Sequence, residues 1–277
     1  MVLFFIHTMY SIWKKNKFTN KIVLLAIILI GILLCFGILR ANVRFLWGQG
    51  YHTIAYFIGS EDPELINQMG NYYFGGGGYD LDKAKKSYKF VASKVPEDKF
   101  VHYQLARIYF VEGDMDLALQ EINMQIEADP NNLRALYVRG LIKDRQGDLP
   151  GAERDFADFT LWAPMEWGGY NDLAFVLAKE KKYSESAEVI HRAMRTIPEA
   201  QDIPWLWNSL GLAQLNMLQF KEAEISFTKA LTLVEKITPR EWQRAYSGND
   251  PVSAGRGIEV FQETIKRNIL LSKNSAL

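Results

Sequence analysis

The stretch FVHYQLARIYFVEGDMDLALQEINMQIEADP, Phe100–Pro130, decides the fold. In its first half Val101, Leu105, Ile108 and Tyr109 fall on one helical face, and in its second half Leu117, Leu119, Ile122 and Ile126 do the same. Each half therefore reads as an amphipathic helix. Gly113-Asp114 separates them, because glycine suits a helix end and aspartate accepts hydrogen bonds from the first free N–H groups of the next helix. Pro130 then stops the second helix.

The same pattern recurs outward from this stretch. Pro96, Pro130, Pro164 and Pro198 stand at a constant interval of thirty-four positions, and Ala84, Ala118, Ala152 and Ser186 keep that interval. Leu81, Met115, Leu149 and Tyr183 precede those small residues by three, while Tyr88, Ile122, Phe156 and Ile190 follow them by four. Gly147-Asp148 repeats the turn of Gly113-Asp114. A period of this length marks a stacked array, in which one helical hairpin cannot bury its apolar face alone. A fifth unit follows three residues late.

That unit, WNSLGLAQ (Trp207–Gln214) and FKEAEISFTKA (Phe220–Ala230), resembles the tetratricopeptide (TPR) signature. Trp207, Leu210, Gly211, Ala223, Phe227 and Ala230 occupy the signature's places, with Gln214 where tyrosine is usual and Glu235 where proline is usual. Leu105, Ala106, Tyr109, Ala118, Ile122 and Pro130 match it in one earlier unit, and Leu136, Gly140, Ala152, Phe156 and Pro164 in the next. The unit ending at Pro198 keeps Ala174, Ile190 and Ala193, with Ser186 for alanine. The first unit fits through Met69, Gly70 and Tyr73 if the Gly75–Gly78 turn holds two extra residues. The small residues Ala106, Gly140, Ala174 and Gly211 would let paired helices approach closely.

The opening of the chain differs in kind. Residues 22–39, IVLLAIILIGILLCFGIL, carry no charge and no proline, and about 20 helical residues cross a hydrocarbon core of roughly 30 Å. Lys14, Lys15, Lys17 and Lys21 precede this run, whereas only Arg40 and Arg44 follow closely. The positive-inside rule then sets the N-terminus in the cytoplasm and the repeats across the membrane. The run exceeds the apolar region of a cleaved leader, so an uncleaved single-pass anchor is expected. MVLFFIHTMY (Met1–Tyr10) is apolar but too short to span, and is read as interfacial or as preceding a start at Met9. Arg44–Gly59 is rich in aromatics and either extends the membrane helix or packs on the first repeat.

The expected organisation is all-α: a basic segment 1–20, a transmembrane helix 21–40, an aromatic linker 41–62, and a solenoid 63–238. Its five helix pairs cover about 63–98, 99–132, 133–166, 167–203 and 204–238. An elbow and a capping helix fill 239–277, with Ile258, Phe261, Ile265 and Ile269 as the apolar stripe that closes the array. Ser247–Pro251 and Gly255–Gly257 mark the elbow, and Ser272–Leu277 should fray.

Charge and chemistry exclude other classes. Positions 1–40 carry five basic and no acidic side chains, and the rest of the chain has 27 basic against 32 acidic ones. Such a body has no footprint for a phosphate backbone, so nucleic acid is not an expected partner. The single cysteine, Cys35, lies in the apolar run and permits neither a disulfide framework nor a thiolate metal site. Gly75–Gly78 lacks the lysine and serine or threonine of a phosphate loop, so it reads as a flexible turn. His102 and His191 have no metal-ligand spacing and read as helix-surface residues. Asp155 with Asp158, and Glu185 with Glu188, read as solvated faces. No catalytic group and no cofactor is expected.

The TPR resemblance implies a concave face lined by the first helix of each pair, receiving an extended peptide or a helix. By position it assigns that face Tyr103, Arg107, Arg134, Tyr137, Asn171, Phe175, Trp205 and Asn208. Tyr, Trp and Arg offer large contact area with few rotors, and asparagine can bond a backbone amide at both ends. Asn67 and Asn71 stand where some members clamp a terminal carboxylate, but the accompanying lysines are missing. The expected function is a membrane-tethered adaptor binding protein or peptide partners, in a bacterial complex for secretion, pilus or envelope assembly. The alternatives are a non-catalytic recognition subunit of a membrane enzyme assembly or, in a eukaryote, an organelle import-type receptor.

Overall fold

The computed structural model describes residues 17–238, 241–242 and 254–275, all helix, turn or loop. Met1–Tyr10 and Ser247–Pro251 lie outside them. The chain forms two compact units, Met1–Asn71 and Tyr72–Leu277.

In the first unit α1 (Lys17–Ala41) contains a 21-residue apolar stretch, Lys21–Ala41, in which an 18-residue window has a mean hydropathy of 3.3 and none of it is buried. It is long and apolar enough to cross a membrane. The helix stops at Asn42, and α2 (Val43–Gly48) and α3 (His52–Ile58) follow as separate short helices. The turns after them use Gly50 and Gly59, both with positive φ. Val43, Ala55 and Ile58 pack with Leu65 and Met69 of α4 (Pro63–Asn71). The aromatic segment thus packs on the first repeat's leading helix instead of prolonging α1.

The second unit is a run of helical hairpins. A turn of π-helix at Tyr72–Gly76 leads to Gly77 and Gly78, whose missing Cβ atoms leave room for the Tyr72 ring; a Cβ at either would lie 2.6 Å from it. The Gly75–Gly78 turn is therefore folded around Tyr72. Next come α5 (Leu81–Lys94), α6 (Val101–Glu112), α7 (Met115–Ala128), α8 (Leu133–Gln146), α9 (Leu149–Trp162), α10 (Trp167–Lys179) and α11 (Tyr183–Thr196). α12 (Pro204–Asn216), α13 (Phe220–Val234) and α14 (Ala254–Ser275) complete the set.

The second helices α5, α7, α9 and α11 have the same 14-residue span, each displaced from the last by one full repeat. Each begins at the row Leu81, Met115, Leu149, Tyr183 and ends two residues before its proline, because the residue before proline is disfavoured in α geometry. Asp80, Asp114 and Asp148 cap three of them, accepting from the N–H of Lys83, Leu117 and Gly151. The three-residue delay of the fifth unit is a single 3₁₀ turn, Ala200–Asp202.

Packing follows the repeat register. Ala84, Ala118, Ala152 and Ala223 are fully buried, and Ser186 takes the same place by donating its hydroxyl to the Ala174 carbonyl at 2.7 Å. Where the row four residues later holds isoleucine, Ile122 or Ile190, the facing first helix carries Ala106 or Ala174. Where it holds phenylalanine, the first helix carries glycine: a Cβ on Gly140 would meet Phe156 at 2.7 Å, and one on Gly211 would meet Phe227 at 2.8 Å. Repeats with different residues thus reach similar volume.

The last hairpin is covered by α14. Ile265 is fully buried against Ala223, Phe227, Ala230 and Trp242, with Ile258, Phe261 and Ile269 packed beside it. Two expectations fail here. Gly255–Gly257 belongs to the first turn of α14, and a Cβ added to Gly257 would lie 2.4 Å from the Trp242 indole, so only glycine fits there. Ser272 is buried and bonds the Asn268 carbonyl, so the helix holds to Ser275.

Two residues read as surface from their polarity, His102 and Asp155, are internal. His102 is buried, its Nδ1 2.7 Å from the Glu121 carboxylate of α7. Asp155 is buried because Arg139 grips it with two bonds of 2.8 and 2.7 Å and Lys143 adds a third contact at 2.7 Å. Gln125 occupies a core position: its Oε1 accepts from the Tyr103 N–H and its Nε2 donates to the Lys99 carbonyl, securing the start of α6. Leu117, in contrast, is exposed.

Candidate peptide-binding face

The first helices α6, α8, α10 and α12 carry the assigned residues. α6 packs directly with α8 and α10 with α12, and the Tyr137–Asp172 bond links α8 to α10. At its start Arg107 Nη1 donates to Gln104 Oε1 at 2.9 Å, and the guanidinium lies 4.6 Å from the Phe74 ring centre and 5.5 Å from that of Tyr103. Burial lowers its pKa, and the neighbouring charge of Arg134 lowers it further. Arg134 is itself exposed.

The middle is a polar ladder. Tyr137 of α8 donates its hydroxyl to Asp172 Oδ2 of α10 at 2.5 Å, and Asn171 Nδ2 donates to Asp172 Oδ1 at 3.1 Å. Ser209 of α12 then donates to Asn171 Oδ1 at 2.8 Å. Burial pushes the Asp172 carboxyl up to about 6, against the opposing pull of the Tyr137 and Asn171 bonds. Phe175 stands exposed on the same helix with the Lys179 ammonium 4.6 Å from its ring centre. Asn208 Oδ1 is shielded from solvent and accepts no hydrogen bond among the described residues.

Trp205 departs from its assignment. It is 7% exposed, stacked on Trp167 at 5.0 Å and in ring contact with Trp242 and Phe261. It belongs to the core beneath the cap, because the closing helix supplies an aromatic partner where a further repeat would otherwise stand. The other seven residues keep side chains on or at the edge of the surface.

Position-by-position assignment omits Asp172 and Ser209, yet their bonds obey a register. Tyr137 to Asp172 spans 35 residues, as does Asp144 to Lys179, whose ammonium contacts both carboxylate oxygens at 2.7 and 2.8 Å. Asn171 to Ser209 spans 38, which is the same step plus the three-residue turn. One repeat plus one residue therefore brings first-helix side chains together, and polar pairs at that step are the signal in the sequence. Among the described residues no group of three or more His, Cys, Asp or Glu is placed to hold a metal.

The arrangement of stacked hairpins is shared with solved structures. A MamA crystal structure superimposes with a TM-score of 0.54 at 20% identity, over 63% of this chain and 92% of that one. YrrB, described as a TPR protein with an unusual peptide-binding site, gives 0.52 at 14% identity, over 67% and 93%. The chain has the fold of tetratricopeptide repeat proteins.

The chain also shows similarity in sequence to curated proteins: 26% identity over 163 residues to the BBSome complex member BBS4 of Bos taurus, and 25% over 133 residues to the TPR repeat-containing protein PA4667 of Pseudomonas aeruginosa. These alignments cover 57% and 45% of this chain but only 30% and 22% of the relatives. No family model matches the chain. The similarity of the TPR hairpins thus concerns fold and repeat.

Proposed function

We propose that this protein is a membrane-tethered scaffold that holds a protein partner by a peptide segment laid across α6, α8, α10 and α12. The observation that carries the reading is the row from Arg107 and Arg134 through Tyr137, Asp172 and Asn171 to Asn208. Adjacent guanidinium groups favour an acidic side chain on the peptide at one end. Exposed Phe175 offers an apolar contact in the middle. At the other end the sheltered Asn208 Oδ1 suits a backbone N–H donor, since a buried acceptor left without a partner costs about 1–3 kcal/mol. YrrB, with its peptide-binding site, is a solved TPR precedent for this use of the fold.

The reading includes residues 21–40 as an uncleaved anchor, 41–62 as its juxtamembrane continuation, and repeats on the extracytoplasmic side of a bacterial envelope, in a secretion, pilus or assembly complex. The four lysines before the apolar run 22–39 support that orientation. Confinement at a membrane raises the effective concentration of a partner without new contacts. Catalysis forms no part of the proposal.

Arg134→Glu with Phe175→Ala changes two exposed side chains and is expected to abolish partner co-purification from the native host while leaving the thermal transition in place. Retention of the same partners by the folded double variant would refute the face. A C-terminal reporter active in the cytoplasm would refute the sidedness.

A further inference from the structure

We infer that the two short helices after α1 lie in the membrane interface, with Phe45, Tyr51, Ile54 and Phe57 immersed among lipid headgroups and upper acyl chains. This inference rests on reading Lys21–Ala41 as a membrane span. From Lys21 to Arg40 that helix rises about 28 Å at about 1.5 Å per residue, which matches a hydrocarbon core of roughly 30 Å. Arg40 therefore marks the far boundary of the apolar layer.

The chain then returns to that boundary. Arg40 pairs with Glu61, and Arg44 pairs with Asp62 and, at 3.1 Å, with Glu64. Everything between, α2 and α3, is thus an excursion that begins and ends at the membrane plane. The segment Phe45–Ser60 contains no Lys, Arg, Asp or Glu. Charge is confined to the two ends of the loop, where the ion pairs close it.

The excursion is apolar toward two sides. Ala55 and Ile58 of α3 face inward with Val43, Leu65 and Met69 and are buried. Tyr51, Ile54 and Phe57, at spacings of three, form an adjacent stripe that is open: Phe57 is 84% exposed and Phe45, on α2, is 64% exposed. The seven-residue α3 is about 10 Å long, and interfacial helices sink their apolar face about 5–10 Å into the headgroup–acyl boundary. A lipid surface is the occupant that the geometry selects, because the open stripe is continuous in sequence with the apolar helix and tied by ion pairs to its end. Aromatic side chains are suited to that layer.

The test uses the full chain with Cys35→Ser, reconstituted into nanodiscs of phosphatidylcholine and phosphatidylglycerol. Nitroxides are placed one at a time by Ile54→Cys and Phe57→Cys, with Leu34→Cys as the control for the span and Lys229→Cys, at an exposed position of α13, as the control for water. Collision rates with lipid-soluble oxygen and a water-soluble nickel chelate are read from power saturation. Labels at 54 and 57 are expected to show several-fold lower nickel access and higher oxygen access than the label at 229. Nickel access equal to that at 229, with 34 still lipid-immersed, would overturn the interface assignment and leave the span standing. Protection from both reagents would mean that protein, such as a second copy of the chain, covers the stripe, and would also overturn it. Nickel access at 34 would remove the span itself and the inference with it.

Discussion

Gly140 and Phe156 occupy one another's space: a Cβ added to Gly140 would stand 2.7 Å from Cε1 of the Phe156 ring, and 3.0 Å from two further ring atoms. The pair is one of two solutions that the repeats use, the other being alanine facing isoleucine. Gly140→Ala is expected to overpack the hairpin and cost about 1–3 kcal/mol, and Phe156→Ile to cost a similar amount through the void it leaves. Together they recreate the Ala106–Ile122 pairing. A double-mutant cycle by urea unfolding should show the double variant more stable than the sum of the two losses, by about 1 kcal/mol or more. Strict additivity would mean that the two residues do not share a volume.

The hairpin turns give a second expectation. Gly113 and Gly147 hold φ near +86 and +82, but the fourth and fifth repeats place Lys181 and Leu218 in the same left-handed geometry, both at φ +63. Such a backbone costs an L-residue about 1–2 kcal/mol, while glycine loses about 0.5–1 kcal/mol in chain entropy. Leu218 is exposed and has no packing to lose. Leu218→Gly is therefore expected to raise the unfolding midpoint in calorimetry, by a net of about 0.5–1 kcal/mol; a lower midpoint would contradict the strain.

Asp172 makes stability depend on pH in an unusual direction. Its carboxyl is raised in the folded chain, chiefly by burial, from 3.8 to about 6. Between those values the native state binds more protons than the unfolded state, so this group's contribution to stability is full at low pH and is lost as pH rises through about 6. Carboxylates held down by ion pairs, such as Asp62 and Glu153, act in the opposite sense. The comparison that isolates Asp172 is the wild-type chain against Asp172→Asn: the difference in unfolding free energy should move in favour of the asparagine variant from pH 4 to pH 7. A pH-independent difference would contradict the assignment.

Asp155 illustrates a buried charge kept by its partners. Removing it by Asp155→Ala leaves Arg139 and Lys143 beside each other with no anion between them, and breaking a buried pair costs about 3–5 kcal/mol. Because Arg139 and Lys143 are partly exposed, the loss is expected toward the lower end of that range. Chemical denaturation of the variant measures it, and a loss under about 1 kcal/mol would show the site to be open to water.

The repeat is legible in the sequence because rows of Pro, Ala and apolar residues report helix ends and close approaches, which local sterics fix. Turn residues at Gly113-Asp114 and Gly147-Asp148 are readable for the same reason. His102, Asp155 and Gln125 are not, since their burial depends on partners on other helices or turns, and polarity alone suggests exposure. On the candidate face the links between helices become legible only once the stagger of neighbouring hairpins is known, because Tyr137 meets Asp172 at one repeat plus one residue. Trp205 goes to the face when read by its place in the repeat, because Trp242 and Phe261, which cover it, come from the cap and lie outside the repeat.

The central claim, that the first-helix face is where a partner sits, is tested most directly by site-specific photocrosslinking of the full chain in its native host. A photoreactive residue at Arg134 or Phe175 should yield one discrete adduct, while the same residue at exposed Lys229 of α13 should yield none. Adducts from Lys229 with silence at Arg134 and Phe175, in a chain that still folds, would contradict the account.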